Sequence, residues 1–485
     1  MGARSGQDFI DSLAQRHPHV QIDGETLTQG GLHRHPAFAG LARSYAALYD
    51  LQVSPELKDT LTFTSPTSGE PVGASFLVPR TYEDLVKRRT AFSTWANHSF
   101  GMLGRTGDYL NSGLMALSEA SSWFSESNKD FGENLVRYVE TVREQDLLTT
   151  HTLIPPQVNR SVAASQQAGG MLAARVVSED DNGIVVRGAR MVATIAPIAD
   201  EILVFPSTVL RNTPEDEPYS YAFAVPLDTP GLRLVARQPV LHGRGTFDEP
   251  LASRFDESDA LVIFDDVHVP YERVFVLRDT AICNQFYTRT SATAHMTHQV
   301  ASRTLAKSEF YLGLLSAMAD SIGIGQFGHI QEDLAEVINI VEIQKALIQA
   351  AETQGSENEF GVHTPKWEPL NTSRNWFPKV AQRFPAIVRK FGAGGLMGLP
   401  GADDVFGAAA EDVSTYLQGK AIDGQERVRL FKLAFDASIS SFAGRQTLYE
   451  NFFFGDPVRM AGALVNSYDR TELTQRVRDF VQREG

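Results

Sequence analysis

Along residues 1–150, apolar side chains recur three and four positions apart, the period of a helix with one buried face. YAALYDL, TYEDLVKRRTAFSTWANHSF and NLVRYVETVREQDLLTTH carry that pattern. Ser54, Pro55 and Glu56 read as a helix start. From Leu153 to about Val276 the texture changes. GIVVRGARMVAT, EILVFPSTV, YAFAVPL, LRLVARQPV and ALVIFDDVHVP are short β-branched runs between turn residues. Asn182-Gly183 predicts a hairpin turn, and Asp228-Thr229-Pro230-Gly231 a second turn. These runs predict an antiparallel β domain, a small barrel or sandwich. From about Ala292 the helical period returns in VASRTLAKSEFYLGLLSAMADSIG and HIQEDLAEVINIVEIQKALIQAAETQG. Further helices are expected near 426–441 and over 472–483. The polar stretch 355–375, with Pro365 and Pro369, reads as a long loop.

The chain therefore divides into an N-terminal helical domain (1–150), a central β-barrel domain (151–277) and a C-terminal four-helix-bundle domain (278–485). This is an α+β multidomain class, and 485 residues suffice for it. The net charge of -15 argues against a nucleic-acid or anionic-membrane partner. A single cysteine, Cys283, excludes an intramolecular disulfide framework and a cysteine-ligated zinc or iron–sulfur centre built from this chain alone. No run of 18 apolar residues and no apolar leader occur, so no membrane span, no secretory signal and a cytoplasmic location are expected.

Candidate chemistry is sparse when taken motif by motif. Gly323-Ile324-Gly325-Gln326-Phe327-Gly328 fits a dinucleotide fingerprint, but it follows a helical pattern rather than a strand, so it reads as a link between helices. Gly392-Ala393-Gly394-Gly395 could admit a ligand close to the backbone, or simply end a helix. Arg105 and Tyr109, four apart, would share a face if helical. His151 stands at the helix-to-β junction, where ligand sites tend to form. Thr194 lies in ATIAPIAD, between two predicted strands. The pairs His33/His35 and His295/His298 have no carboxylate at ligand spacing, so no metal site is expected.

In order along the chain, GRTGDYLN, HTLIPPQVNRS, ATIAPIADEILVFP, FDDVHVPYERVF, FGAGGLMGLPGADD and FAGRQTLYENFFFGDP resemble the 4-hydroxyphenylacetate 3-monooxygenase family. These are the large oxygenase components of two-component flavin systems. The resemblance runs from about Asp8 to about Met460. It implies an acyl-CoA dehydrogenase-like fold, a homotetramer and FAD used as FADH2 together with O2. It implies a para-substituted phenol hydroxylated to a catechol through a flavin C4a-hydroperoxide. It also implies a separate NAD(P)H-dependent flavin reductase as partner. Carried over, the phenol-binding and catalytic residues fall on Arg105, Tyr109 and His151, with Ser207 and Thr208 as further substrate contacts. The flavin contacts fall on His151, Gln157, Val158, Asn159, Arg160, Thr194, Gly444, Arg445, Gln446 and Thr447. Gly107 stands where the family more often has proline.

The implied roles are physically coherent. A phenol ionises near pH 10. A guanidinium about 4 Å from its oxygen contributes on the order of 4 kcal/mol at an effective dielectric of 20, roughly three pH units. Halophenol and nitrophenol monooxygenases share the chemistry and remain alternatives. An acyl-CoA dehydrogenase would need a carboxylate base and a thioester site instead of this trio.

Overall fold

The computed structural model describes residues 2–159, 161–206 and 209–483. Helices come first, then β structure, then helices again, the order of the acyl-CoA dehydrogenase-like class expected above. The first helical part includes Pro36–Val53, Tyr82–His98, Gly107–Glu119 and Lys129–Gln145. Tyr82–His98 starts at a capping box in which Thr81 and Asp84 satisfy each other's amides, as its sequence signature implies. Ser54 does not start a helix. It closes Pro36–Val53, and a short helix follows at Lys58–Leu61.

The β part is hydrogen-bonded as two sheets. A six-stranded sheet runs Glu25–Leu27, His19–Ile22, Leu232–Ala236, Asp259–Pro270, Gly183–Thr194, Arg175–Glu179. A four-stranded sheet runs Val274–Leu277, Tyr221–Pro226, Glu201–Val204, Thr149–Thr152. The Asn182-Gly183 turn joins two paired strands, as its residues predict. Among the described strands two pairings are parallel, and both recruit strands from the mostly helical first segment. His19 to Gln21 lie beside Arg233 to Val235, and Thr149 to Thr152 beside Glu201 to Val204. These strands are four residues each, too short to stand out against the helical period around them.

The last part is organised around one helix, Ala292–Ile322, about 46 Å long at 1.5 Å per residue. It packs on Gly328–Thr353, Gly107–Glu119, Tyr82–His98 and Trp367–Ala381, so it is buried nearly all round. Its long buried polar side chains are partnered across helices: His295 with Arg88, His298 with Glu352, Gln299 with Asp108, and Arg303 and Lys307 with Glu450. His298 thus has a carboxylate partner that its own sequence neighbourhood does not supply. The glycines at 323–328 do link two helices, with Gly323 in the left-handed region closing the first. The stretch 355–375 is not one loop. It holds a two-stranded ribbon, then the helix Trp367–Ala381, in whose first turn Pro369 is tolerated. Among the described residues, no helix is long and apolar enough to cross a membrane.

Candidate active site

Arg105 sits just before the helix Gly107–Glu119, whose N-cap is Thr106. The expected shared helical face is therefore corrected: Arg105 precedes the helix, and the turn at Thr106 brings its side chain back over Tyr109. The Arg105 guanidinium carbon lies 4.7 Å from the Tyr109 ring centroid, 4.2 Å from that of Phe453 and 5.5 Å from that of Tyr449. Its Nη1 donates to Tyr449 Oη at 2.6 Å. Among the described residues no carboxylate pairs with this guanidinium. The backbone is fixed instead: the amides of Gly104 and Arg105 both donate to Glu257 Oε1 at 2.8 Å.

His151 reaches the same place from the strand Thr149–Thr152. Its ring centroid is 5.9 Å from that of Tyr109. The residue is only 7% exposed, and its Nδ1 has no hydrogen-bond partner among the described residues. Burial, and after it the Arg105 charge, pushes His151 well below its usual value, so the ring is neutral near pH 7. Burial pushes the Tyr109 phenol up, opposed by Arg105, Arg374 and Arg303, so Tyr109 keeps its proton. Among the described residues, one cation without an acid, one neutral imidazole with an unpaired nitrogen and one neutral phenol thus converge at the helix-to-β junction. That set suits an aromatic ligand bearing an ionisable hydroxyl. A buried polar nitrogen without a partner is otherwise a net cost.

The other expected contacts fall into three groups. Gln157, Val158 and Asn159 lie on the exposed segment after this strand, Val158 at 72% exposure. Arg160, Ser207 and Thr208 lie outside the described residues. Thr194 and Arg445, far apart in sequence, share Asp259: Thr194 Oγ1 donates at 2.7 Å and Arg445 Nη2 at 3.0 Å. Arg445 also donates to Glu257 Oε2 at 3.1 Å. Burial works against the Asp259 charge, but Arg445 and Arg237 outweigh it and hold that carboxyl at about 2. Gln446 is internal, donating to the Met102 carbonyl and accepting from Lys307. Thr447 bonds back to Ala443 within its helix Ser441–Phe452, and Gly444 is exposed on it. Within the stretch Gly444 to Thr447, Arg445 braces Glu257 and through it the Arg105 backbone.

Sequence reading missed Tyr449, Glu257 and the pair Arg303–Glu450. A signal for Tyr449 existed: Arg445, Tyr449 and Phe453 are four apart and share one helical face. Glu257 had none, because its role rests on two amides more than 150 residues away in sequence. The glycine run at 392–395 ends the helix Arg383–Gly392 and continues as a short 3-10 turn. Burial pushes the Cys283 thiol up to about 12, so it is unreactive. Among the described residues no cluster of three or more His, Cys, Asp or Glu side chains could hold a metal.

Comparison with known proteins places the chain in a family. Family models described as 4-hydroxyphenylacetate 3-hydroxylase N terminal and C terminal match residues 5–276 and 283–482. The 4-hydroxyphenylacetate 3-monooxygenase oxygenase component of Geobacillus sp. (strain PA-9) is 42% identical over 99% of this chain and 97% of its own. That of Thermus thermophilus is 44% identical over 99% and 98%. A crystal structure of such an oxygenase component, complexed with FAD and 4-hydroxyphenylacetate, superposes with a TM-score of 0.94 at 44% identity, covering 99% of this chain and 98% of that one. The chain belongs to the 4-hydroxyphenylacetate 3-hydroxylase family of flavin-dependent aromatic monooxygenases.

Proposed function

We propose that this chain is the oxygenase component that hydroxylates a para-substituted phenol, 4-hydroxyphenylacetate first among them, next to its hydroxyl to give a catechol. The observation that carries the reading is a set left unpaired among the described residues: Arg105 without a carboxylate, beside a neutral His151 whose Nδ1 has no partner and the Tyr109 phenol. Arg105 stabilises the substrate as phenolate and so raises the electron density at the ring carbon that is to be attacked. His151, whose Nδ1 has no partner among the described residues, hydrogen-bonds the phenol oxygen, and Tyr109 fixes its position. Reduced FAD, when bound, activates dioxygen and supplies the electrophilic oxygen. The rings of Phe453 and Tyr449 line the Arg105 side of the site and exclude water from it.

FADH2 comes from a separate NAD(P)H-dependent flavin reductase, in keeping with relatives named as oxygenase components. The working form is a homo-oligomer, with a homotetramer as the family expectation. Its support is the helix Thr471–Gln482, which buries none of its residues while presenting Leu473, Val477, Phe480 and Val481 on one face. The domain limits 1–150, 151–277 and 278–485 belong to the same reading, with residues 19–27 lent to the β part.

The test uses the purified chain with chemically reduced FAD, 18O2 and no reductase, against 4-hydroxyphenylacetate, tyrosine, p-coumarate and 4-nitrophenol. A catechol carrying one 18O atom from at least one of these phenols is the expected result. Hydrogen peroxide alone with every phenol would refute the reading.

A further inference from the structure

Among the described residues, two arginines near the site have no acid to balance them. Arg374, on the helix Trp367–Ala381, packs between rings, its guanidinium carbon 5.6 Å from the Trp367 centroid and 5.4 Å from that of Phe454. Its Nη2 reaches Met460 Sδ at 2.6 Å, a weak acceptor, and its buried Nε has no partner among the described residues. Arg459 approaches the same turn from the helix Pro457–Ser467. Its Nη2 is 3.6 Å from the place a side chain would occupy at Gly455, which has a φ of +110°. Among the described residues neither arginine makes an ion pair. The acid of this turn, Asp456, is spent as the N-cap of Pro457–Ser467, accepting from the amides of Val458 and Arg459 at 3.0 Å.

Burial lowers Arg374 from the ordinary guanidinium range; the nearby Tyr109 opposes this, and the like charge of Arg459 adds to it. The turn is continuous with the site. Phe454 stacks edge-on against Phe453 at 4.6 Å, and Phe453 lies 5.7 Å from Tyr109 and under Arg105. A mostly buried cation without a counterion is costly unless a ligand supplies the charge.

We infer that Arg374 and Arg459 form an anion-binding cleft at the Phe453–Phe454–Gly455 turn, which takes the anionic end of a ligand whose ring lies at Arg105 and Tyr109. The shared chemistry is a pair of anionic oxygens on a guanidinium fork. It comes from one of two sources, the carboxylate on the phenol's para substituent or the pyrophosphate of the flavin. The inference rests on the function proposed above.

The experiment measures binding rather than turnover, on the full chain and its Arg374→Gln, Arg459→Gln and Arg374→Lys variants. Each charged ligand is paired with a neutral counterpart: 4-hydroxyphenylacetate with 4-hydroxyphenylacetamide, and FAD with riboflavin. Arg374→Gln is expected to weaken one charged member about 10- to 100-fold. Its neutral counterpart should stay within about twofold. Arg459→Gln should weaken the same member by less, since that side chain is exposed, and Arg374→Lys should restore part of the loss. A loss confined to the phenol pair names the carboxylate, and a loss confined to the flavin pair names the pyrophosphate. Unchanged ratios in both pairs, or equal losses of charged and neutral members, would overturn the inference while leaving the proposed function standing. A wild-type chain that binds neither flavin nor phenol would remove both.

Discussion

Arg105 Nη1 and Tyr449 Oη are 2.6 Å apart, a bond between the loop before one helix and the face of another more than 300 residues later. It aims a guanidinium that, among the described residues, has no carboxylate to hold it. Gly104 makes the approach possible, because a Cβ there would lie 2.1 Å from the same oxygen. Tyr449 is therefore a positioning residue for Arg105. Tyr449→Phe should lower kcat/KM for the phenol about tenfold, from one lost hydrogen bond to a charged group. Gly104→Ala should cost more, since the tyrosine must move away. Steady-state kinetics with reduced FAD held saturating checks both, and unchanged values would remove Tyr449 from the account.

The neutrality of His151 has a pH consequence. Its pKa is lowered in the folded chain by burial and by Arg105, so the unfolded chain binds more protons at mildly acidic pH. That part of the stability is present above about pH 6.5, the unfolded value, and is lost as pH falls toward the folded one. Between pH 6.5 and 5, wild type should lose stability more steeply than His151→Asn, by up to about 1.4 kcal/mol per pH unit. Urea melts of the two proteins across that range measure the difference. Parallel curves would mean that His151 is not protected from protonation.

Gly107 occupies the first position of its helix, where an amide has no intrahelical acceptor and proline is favoured. Thr106 before it has φ -58° and ψ 150°, a conformation compatible with a following proline. A Cβ at 107 would meet its nearest neighbours at 3.7 Å, ordinary contact. Gly107→Pro should raise stability by about 0.5–1 kcal/mol through a less flexible unfolded chain, with binding of the phenol unchanged or tighter. Thermal melts decide it, and a lower Tm would show that the Arg105–Tyr109 turn needs the glycine.

The face of the helix Thr471–Gln482 leaves Phe480 at 73% exposure and Val477 at 64%. Phe480→Glu and Val477→Glu should shift the protein to a smaller assembly in light scattering at micromolar concentration, with little change in the fold of each chain. Identical masses for wild type and both variants would place the interface elsewhere.

What the sequence made legible followed from local repetition. Long helices such as Ala292–Ile322 and the hairpin at Asn182-Gly183 were readable because their signals lie within a few residues. The strands His19–Ile22 and Thr149–Thr152 were not, because each is held by a partner distant in sequence. The same division runs through the site. Arg105, Tyr109 and His151 came from ordered motifs that resemble a family, and the fold brings these three side chains together. Glu257 and Tyr449 act through partners distant in sequence, and that pattern is not written locally.

The proposed function requires that Arg105 make a bound phenol ionise near neutral pH. Ultraviolet difference titration of 4-hydroxyphenylacetate bound to wild type and to Arg105→Met tests it directly. Bound to wild type, the phenol should ionise about three pH units below its free value near 10, and Arg105→Met should return it toward that value. The same ionisation in both proteins, or a free-like value in wild type, would contradict the account.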